Sequence, residues 1–133
     1  MMAKYKYVEE FELEGSPKSI YPYLQNIGNL KEWFAAKIIV EKDNIINFMW
    51  DDQNHFARIT HSQVNKYIRY EFLDDKKQIV VNDASYLEFR LSQSELTRAT
   101  FLKITDYSEM VNENDLKALW EELIEQLRNV SGS

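Results

Sequence analysis

The last stretch of the chain sets the strongest condition on its fold. After the cap-rich NEND at 112–115, Leu116, Leu119, Trp120, Leu123, Leu127 and Val130 recur at helical spacing, with Glu121, Glu122, Glu125 and Arg128 on the other side. A helix of about 16 residues with so long an apolar stripe has to lie on a broad apolar surface. No other segment reads as a helix of comparable length, so that surface must be a sheet.

The preceding text supplies one. From Lys4 to Glu14 the chain alternates Tyr5, Tyr7, Glu9, Phe11 and Leu13 against Lys6, Val8, Glu10, Glu12 and Glu14, the period-2 pattern of a half-buried strand. Gly15 breaks it, and Ser16-Pro17 predicts an N-capped helix through about Gln25, with Ile20, Tyr23 and Leu24 on its buried side. Asn29 and Glu32 read as a capping box for a second short helix, Leu30 to about Ala35. Six segments rich in β-branched and aromatic residues follow: Ile38 to Glu41, Ile45 to Trp50, His55 to Val64, Tyr67 to Leu73, Tyr86 to Leu91 and Arg98 to Asp106.

Polar turns such as Lys42-Asp43-Asn44, Asp51-Asp52-Gln53-Asn54, Asn65-Lys66 and Asp74-Asp75-Lys76-Lys77 separate these strands. With no helical pattern between them they imply hairpins, hence an antiparallel meander. Alternation assigns inner faces: Phe48 and Trp50 against Met49; Ile68, Tyr70 and Phe72 against Arg69 and Glu71; Leu87, Phe89 and Leu91 against Glu88 and Arg90; Leu102 and Ile104 against Lys103, which turns Phe101 outward. The expected architecture is α+β in a single domain over 1–133: one strand, two short helices, six strands, and a long helix across the resulting seven-stranded antiparallel sheet. No linker or internal repeat divides it.

Composition limits the functions open to such a chain. At 133 residues, 44% hydrophobic and 14% aromatic, it has material for one sizeable core, and its net charge of −6 belongs to a solvated surface. Acidic balance with no Lys/Arg cluster argues against nucleic acid, whose phosphates demand a concentrated basic face. The chain has no cysteine, which excludes disulfides, thiolate nucleophiles and cysteine zinc sites and fits a reducing, cytoplasmic setting. Neither a signal-peptide core nor a run of about 18 apolar residues is present, so no membrane span is expected. The sequon at Asn129-Val130-Ser131 carries no weight without export.

The opening EFELEGSPKSIYPYLQN, the following LKEWFA, KYIRYEFLDD before a hairpin, RATFLKITDYSE as last strand and LKALWEELIEQLRNV as final helix resemble the START-like superfamily, also called birch-pollen-allergen-like or polyketide-cyclase-like. The likeness runs from about residue 4 to 130. A narrower likeness, carried by SP..IY.YL......EWFA and ITDY, is to small START-like proteins of Bacteroidetes. The resemblance implies the helix-grip fold, a curved sheet gripping a long helix with a cavity between them. Members bind lipids, steroids, polyketides or hormones, assist a heat-shock chaperone ATPase, or act as cyclases, so the likeness alone does not choose an activity.

Searching for chemistry narrows the field further. His55 and His61 stand six apart on one strand, roughly 20 Å if extended, too far to share a metal. Glycine occurs only at 15, 28 and 132, so no phosphate-cradling loop can form and no cofactor is expected. Asp51-Asp52, Asp74-Asp75 and Glu121-Glu122 read as solvated charge, and Asp106 as a helix-side cap or turn former. Arg58, beside Phe56, would meet a ligand carboxylate if it faced inward and solvent if outward; parity leaves its side open.

Trp33, Phe34, Phe48, Trp50, Tyr70, Phe72, Phe89 and Trp120 all point toward the space between sheet and helix, joined there by Leu116 and Leu123. They line a cavity for a small apolar or amphipathic molecule, or they fill a solid core with Leu119 and Leu127. The expected function is a non-enzymatic START-like ligand binder; the alternatives are a protein-interaction module and, third, a cyclase-like enzyme, for which no acid–base set can be named. An exposed strand edge or the outer helix face leaves a homodimer open.

Overall fold

The structure, a computed structural model, describes residues 4–73, 83–109 and 112–133. Its elements are β1 (Tyr5–Leu13), α1 (Pro17–Ile20), α2 (Pro22–Gln25), α3 (Ile27–Trp33), β2 (Lys37–Val40), β3 (Ile46–Trp50), β4 (Gln53–Gln63), β5 (Tyr67–Phe72), β6 (Tyr86–Gln93), β7 (Thr100–Ser108) and α4 (Glu113–Ser131). The expected turn at Asp74-Asp75-Lys76-Lys77 lies outside the described residues. One seven-stranded antiparallel sheet runs in the order β1-β7-β6-β5-β4-β3-β2. Six of the strands are a meander, as the hairpin spacing predicts, and β1 joins it by pairing with β7 from Tyr5↔Ser108 to Leu13↔Thr100.

That closing pair brings the two ends of the chain together. The α4 residue Arg128 donates from Nη2 to the Glu12 carbonyl at 2.9 Å, and the Glu14 amide donates to the Ser133 carbonyl at 3.1 Å. Both bonds satisfy backbone groups at one end of an edge strand. Along β4 and β5 the pairing shifts between Ile59 and His61, a bulge that bends the sheet, and the Thr60 hydroxyl donates to Glu71 Oε2 at 2.7 Å.

Two local expectations are corrected. The helix expected over Pro17–Gln25 is two short helices, because Pro22 has no N–H with which to continue the first. Its start is as expected: Ser16 and Ser19 form a reciprocal capping box, each side chain accepting the other's amide at 3.1 Å. The next helix is capped by Asn26, not Asn29. The Asn26 side chain accepts from the Asn29 amide at 3.2 Å, so the helix starts three residues early and Phe34 becomes its C-cap.

Inner faces follow the alternation. Phe48, Tyr70, Phe89, Leu102 and Ile104 are buried, and Phe101 is half-buried on the opposite parity to Leu102. On α4 the stripe is rotated from its expected position: Leu116, Trp120, Ile124 and Leu127 are buried, while Leu119 is 40% exposed. Leu119 lies on the flank of the stripe opposite Ile124, and a helix resting on a concave sheet buries only the sector that faces it.

Strand polarity turns at Asp51 and Asp52, both left-handed at φ 53° and 57°, in the two-residue hairpin joining β3 to β4. Such turns favour Asn-Gly because an L side chain at positive φ is strained. Asp52→Gly is expected to raise unfolding free energy by about 0.5–1 kcal/mol, read by urea titration, with the slope unchanged.

Candidate functional site

The side chain that organises the interior is Phe34, which the end of α3 delivers to the middle of the gripped space. Its ring centroid lies 5.6 Å from Trp33, 5.5 Å from Phe48, 5.8 Å from Trp50, 6.3 Å from Phe89 and 6.1 Å from Trp120. It stacks on Trp120, and meets Phe48, Trp50 and Phe89 edge-on. Phe48 extends the contact to Tyr70 at 5.4 Å and to Phe72 at 6.4 Å. The eight aromatics expected to face the same space therefore do so, as one set of tilted and edge-to-face rings. Leu116 is fully buried below them and Leu123 packs half-buried at their margin.

Arg58 is not part of this set. Ala57 before it is fully buried in the core and Arg58 stands opposite Glu71, on the outer face of the sheet. Its Nε is buried without a hydrogen-bond partner among the described residues. The outer face carries charge laid over rings: the Arg69 guanidinium lies 4.0 Å from the centroid of Tyr86 and bonds Glu88 at 3.0 Å, and Arg90 lies 4.5 Å from that of Tyr67.

Three polar tips of the aromatic set have partners within the fold. Trp33 Nε1 donates to the Tyr23 carbonyl at 2.8 Å and the Tyr70 hydroxyl to the Leu24 carbonyl at 2.6 Å. Burial pushes the Tyr70 hydroxyl far above its ordinary range. Trp120 Nε1 donates to Asp106 Oδ2 at 3.0 Å. Asp106 is therefore no cap or turn former. It lies within β7 between Tyr7 and Leu87, and burial raises its carboxyl above the usual carboxylate range, against the opposing hydrogen bonds from Trp120 and Ser108. Nearby, the Tyr7 hydroxyl bonds Glu9, and burial with that carboxylate raises it as well.

The histidines are kept apart. His55 stacks on Trp50 with centroids 3.9 Å apart and its Nδ1 lies 3.1 Å from the Phe48 carbonyl, whereas exposed His61 sits 3.7 Å from Glu71. Among the described residues no group of three or more His, Asp or Glu side chains is placed to hold a metal.

Two hollows open on the surface at one end of the sheet. One, about 600 Å³, is lined by Lys66, Tyr67, Arg90, Lys103 and Glu10 among others; the second, about 550 Å³, by Glu12, Gly15, Arg98 and Phe101. Neither touches the aromatic set. The turns at this end carry the two most exposed large apolar side chains of the described residues, Val64 at 72% and Leu96 at 96%. The sequence lettering hid both, because an apolar residue in a turn has no periodicity to mark its side.

With this geometry in hand, the family model of the START-like superfamily domain matches residues 1–133. The chain belongs to the START-like superfamily. Its fold is that of solved START-like structures. It is similar to the solution structure of the Aha1 dimer from Colwellia psychrerythraea, at 19% identity and TM-score 0.71 over 94% of each chain. It is similar to BfR322 from Bacteroides fragilis, at 29% identity and TM-score 0.60, covering 98% of this chain and 92% of that one. CalU16 from Micromonospora echinospora matches at 14% identity and TM-score 0.64, over 92% of this START-like chain and 71% of its own. No curated protein matches the sequence.

The raised Asp106 carboxyl gives a signed expectation. A carboxyl whose folded value is raised contributes stability while protonated and loses it as pH rises through the folded value. Asp106→Asn keeps an acceptor for Trp120 and removes that loss. The variant is therefore expected to match wild type near pH 3, below the ordinary aspartate value of 3.8, and to exceed it near pH 7. Urea titrations at the two pH values check this.

Proposed function

We propose that this START-like chain is a non-enzymatic module that binds a protein partner through the sheet end carrying Val64 and Leu96. One observation carries the reading: two strongly exposed apolar side chains stand on neighbouring turns beside a hollow whose charged lining is Lys66, Arg90 and Lys103 with one carboxylate, Glu10. Single exposed apolar residues are ordinary; two at one end beside a basic hollow offer anchors and a charged rim for an apolar surface edged with acidic groups. The filled interior supports the same reading, since Phe34 occupies the space among Trp33, Trp50 and Trp120 that a ligand would need. The non-enzymatic part is supported by Asp106, whose one buried-side carboxyl is engaged by Trp120 rather than aimed at a cleft. Affinity capture from a native extract is expected to recover a partner with the wild type and to lose it with Val64→Asp plus Leu96→Asp. Equal capture by both, or none by either, counts against the reading.

A second reading, a small apolar or amphipathic ligand held between sheet and α4, is favoured by Phe34, Trp50, Phe72 and Leu123, which are only half-buried although they pack against the core. Here the ligand enters by displacing Phe34. Native mass spectrometry and a fluorescent apolar probe are expected to show uptake that increases in Phe34→Ala, where the vacated ring leaves a cavity. Absence of uptake by both proteins rules this reading out.

A further inference from the structure

The two edges of the sheet are treated differently by the chain. The end of β1 is closed by Arg128 and Ser133, but β2 runs at the opposite edge with Ile39 at 43% and Val40 at 59% exposed, and with no proline or bulge within it. Free edges of this kind pair with other strands unless blocked. We infer that β2 pairs with β2 of a second copy of this chain, antiparallel, about a two-fold axis through Ile39.

Three features specify that register. The Glu41 amide donates to the Ile45 carbonyl at 2.7 Å, which directs the backbone groups of Glu41, Ile39 and Lys37 toward β3 and those of Ile38 and Val40 to the open edge. With Ile39 opposite Ile39 of the second copy, Ile38 falls opposite Val40, and both have outward amides and carbonyls to exchange. Lys37 then falls opposite Glu41, twice, so the stretch Lys37-Ile38-Ile39-Val40-Glu41 is complementary in charge to its own reversal. A shift by one residue would lose the hydrogen bonds and the charge match together. The interface is isologous, as a two-fold dimer requires, and makes one continuous sheet of two copies. It lies apart from the turns at Val64 and Leu96 and does not depend on the partner reading.

Sedimentation velocity from low micromolar to near-millimolar protein is expected to show a reversible monomer–dimer equilibrium. Ile39→Lys, placing like charges at the axis on an exposed position, is expected to raise the dissociation constant about tenfold or more with an unchanged circular dichroism spectrum. Lys37→Glu alone and Glu41→Lys alone should each weaken the dimer, and an equimolar mixture should recover it as a heterodimer. Should Glu41→Lys fail to fold, Ile39→Cys gives the otherwise cysteine-free chain a single thiol, which mild oxidation should join across the axis faster than Val8→Cys on the other edge strand. A monomer at every concentration, a dimer indifferent to Ile39→Lys, a mixture that stays monomeric, or equal cross-linking at the two positions overturns the inference.

Discussion

Phe34 packs against five other aromatic rings at once, drawn from α3, from the two strands β3 and β6, and from α4. This contact makes the sheet and the long helix parts of one core. Without a large group at that point the curved inner face and α4 would stand apart over a void, and interior voids cost stability in proportion to their volume. Placing Phe34 at the C-cap of α3 makes a short and intrinsically weak helix necessary to the whole fold, and the Trp33 bond to the Tyr23 carbonyl fixes its direction.

The remaining ties are polar and run from large rings to the elements opposite. Tyr70 on β5 reaches the Leu24 carbonyl at the end of α2, and Trp120 on α4 reaches Asp106 on β7. Each satisfies a buried donor that would otherwise carry the cost of lost hydration. Together they bind the inner face to the short helices at one side and to α4 at the other. The acidic group in this arrangement accepts the Trp120 hydrogen bond, and its raised carboxyl reflects the same dry surroundings.

START-like chains share a fold and differ in what they do with the gripped space. Here that space is occupied by the chain's own rings, and the distinctive exposed features lie at the turns carrying Val64 and Leu96 and along the free edge of β2. These are separate sites, so a dimer through β2 would present two copies of the turn surface on one assembly.

Much of the architecture was legible in the lettering because burial imposes period two on strands and a wider period on α4. The number of strands, the antiparallel meander and the inward rings of β3, β5, β6 and α4 follow from that periodicity. The helix boundaries did not, since Pro22 and the competition between Asn26 and Asn29 are settled by which cap the folded backbone can reach. Three things belonged to tertiary structure alone. Arg58 took the outer face because Ala57 was needed against the core, Leu119 was left on the flank by the curvature under α4, and Phe34 closed the space that alternation could only point toward. Periodicity states which side of an element a residue occupies. Whether opposite sides meet with or without room between them depends on the volumes of side chains from distant parts of the chain, which only packing brings together.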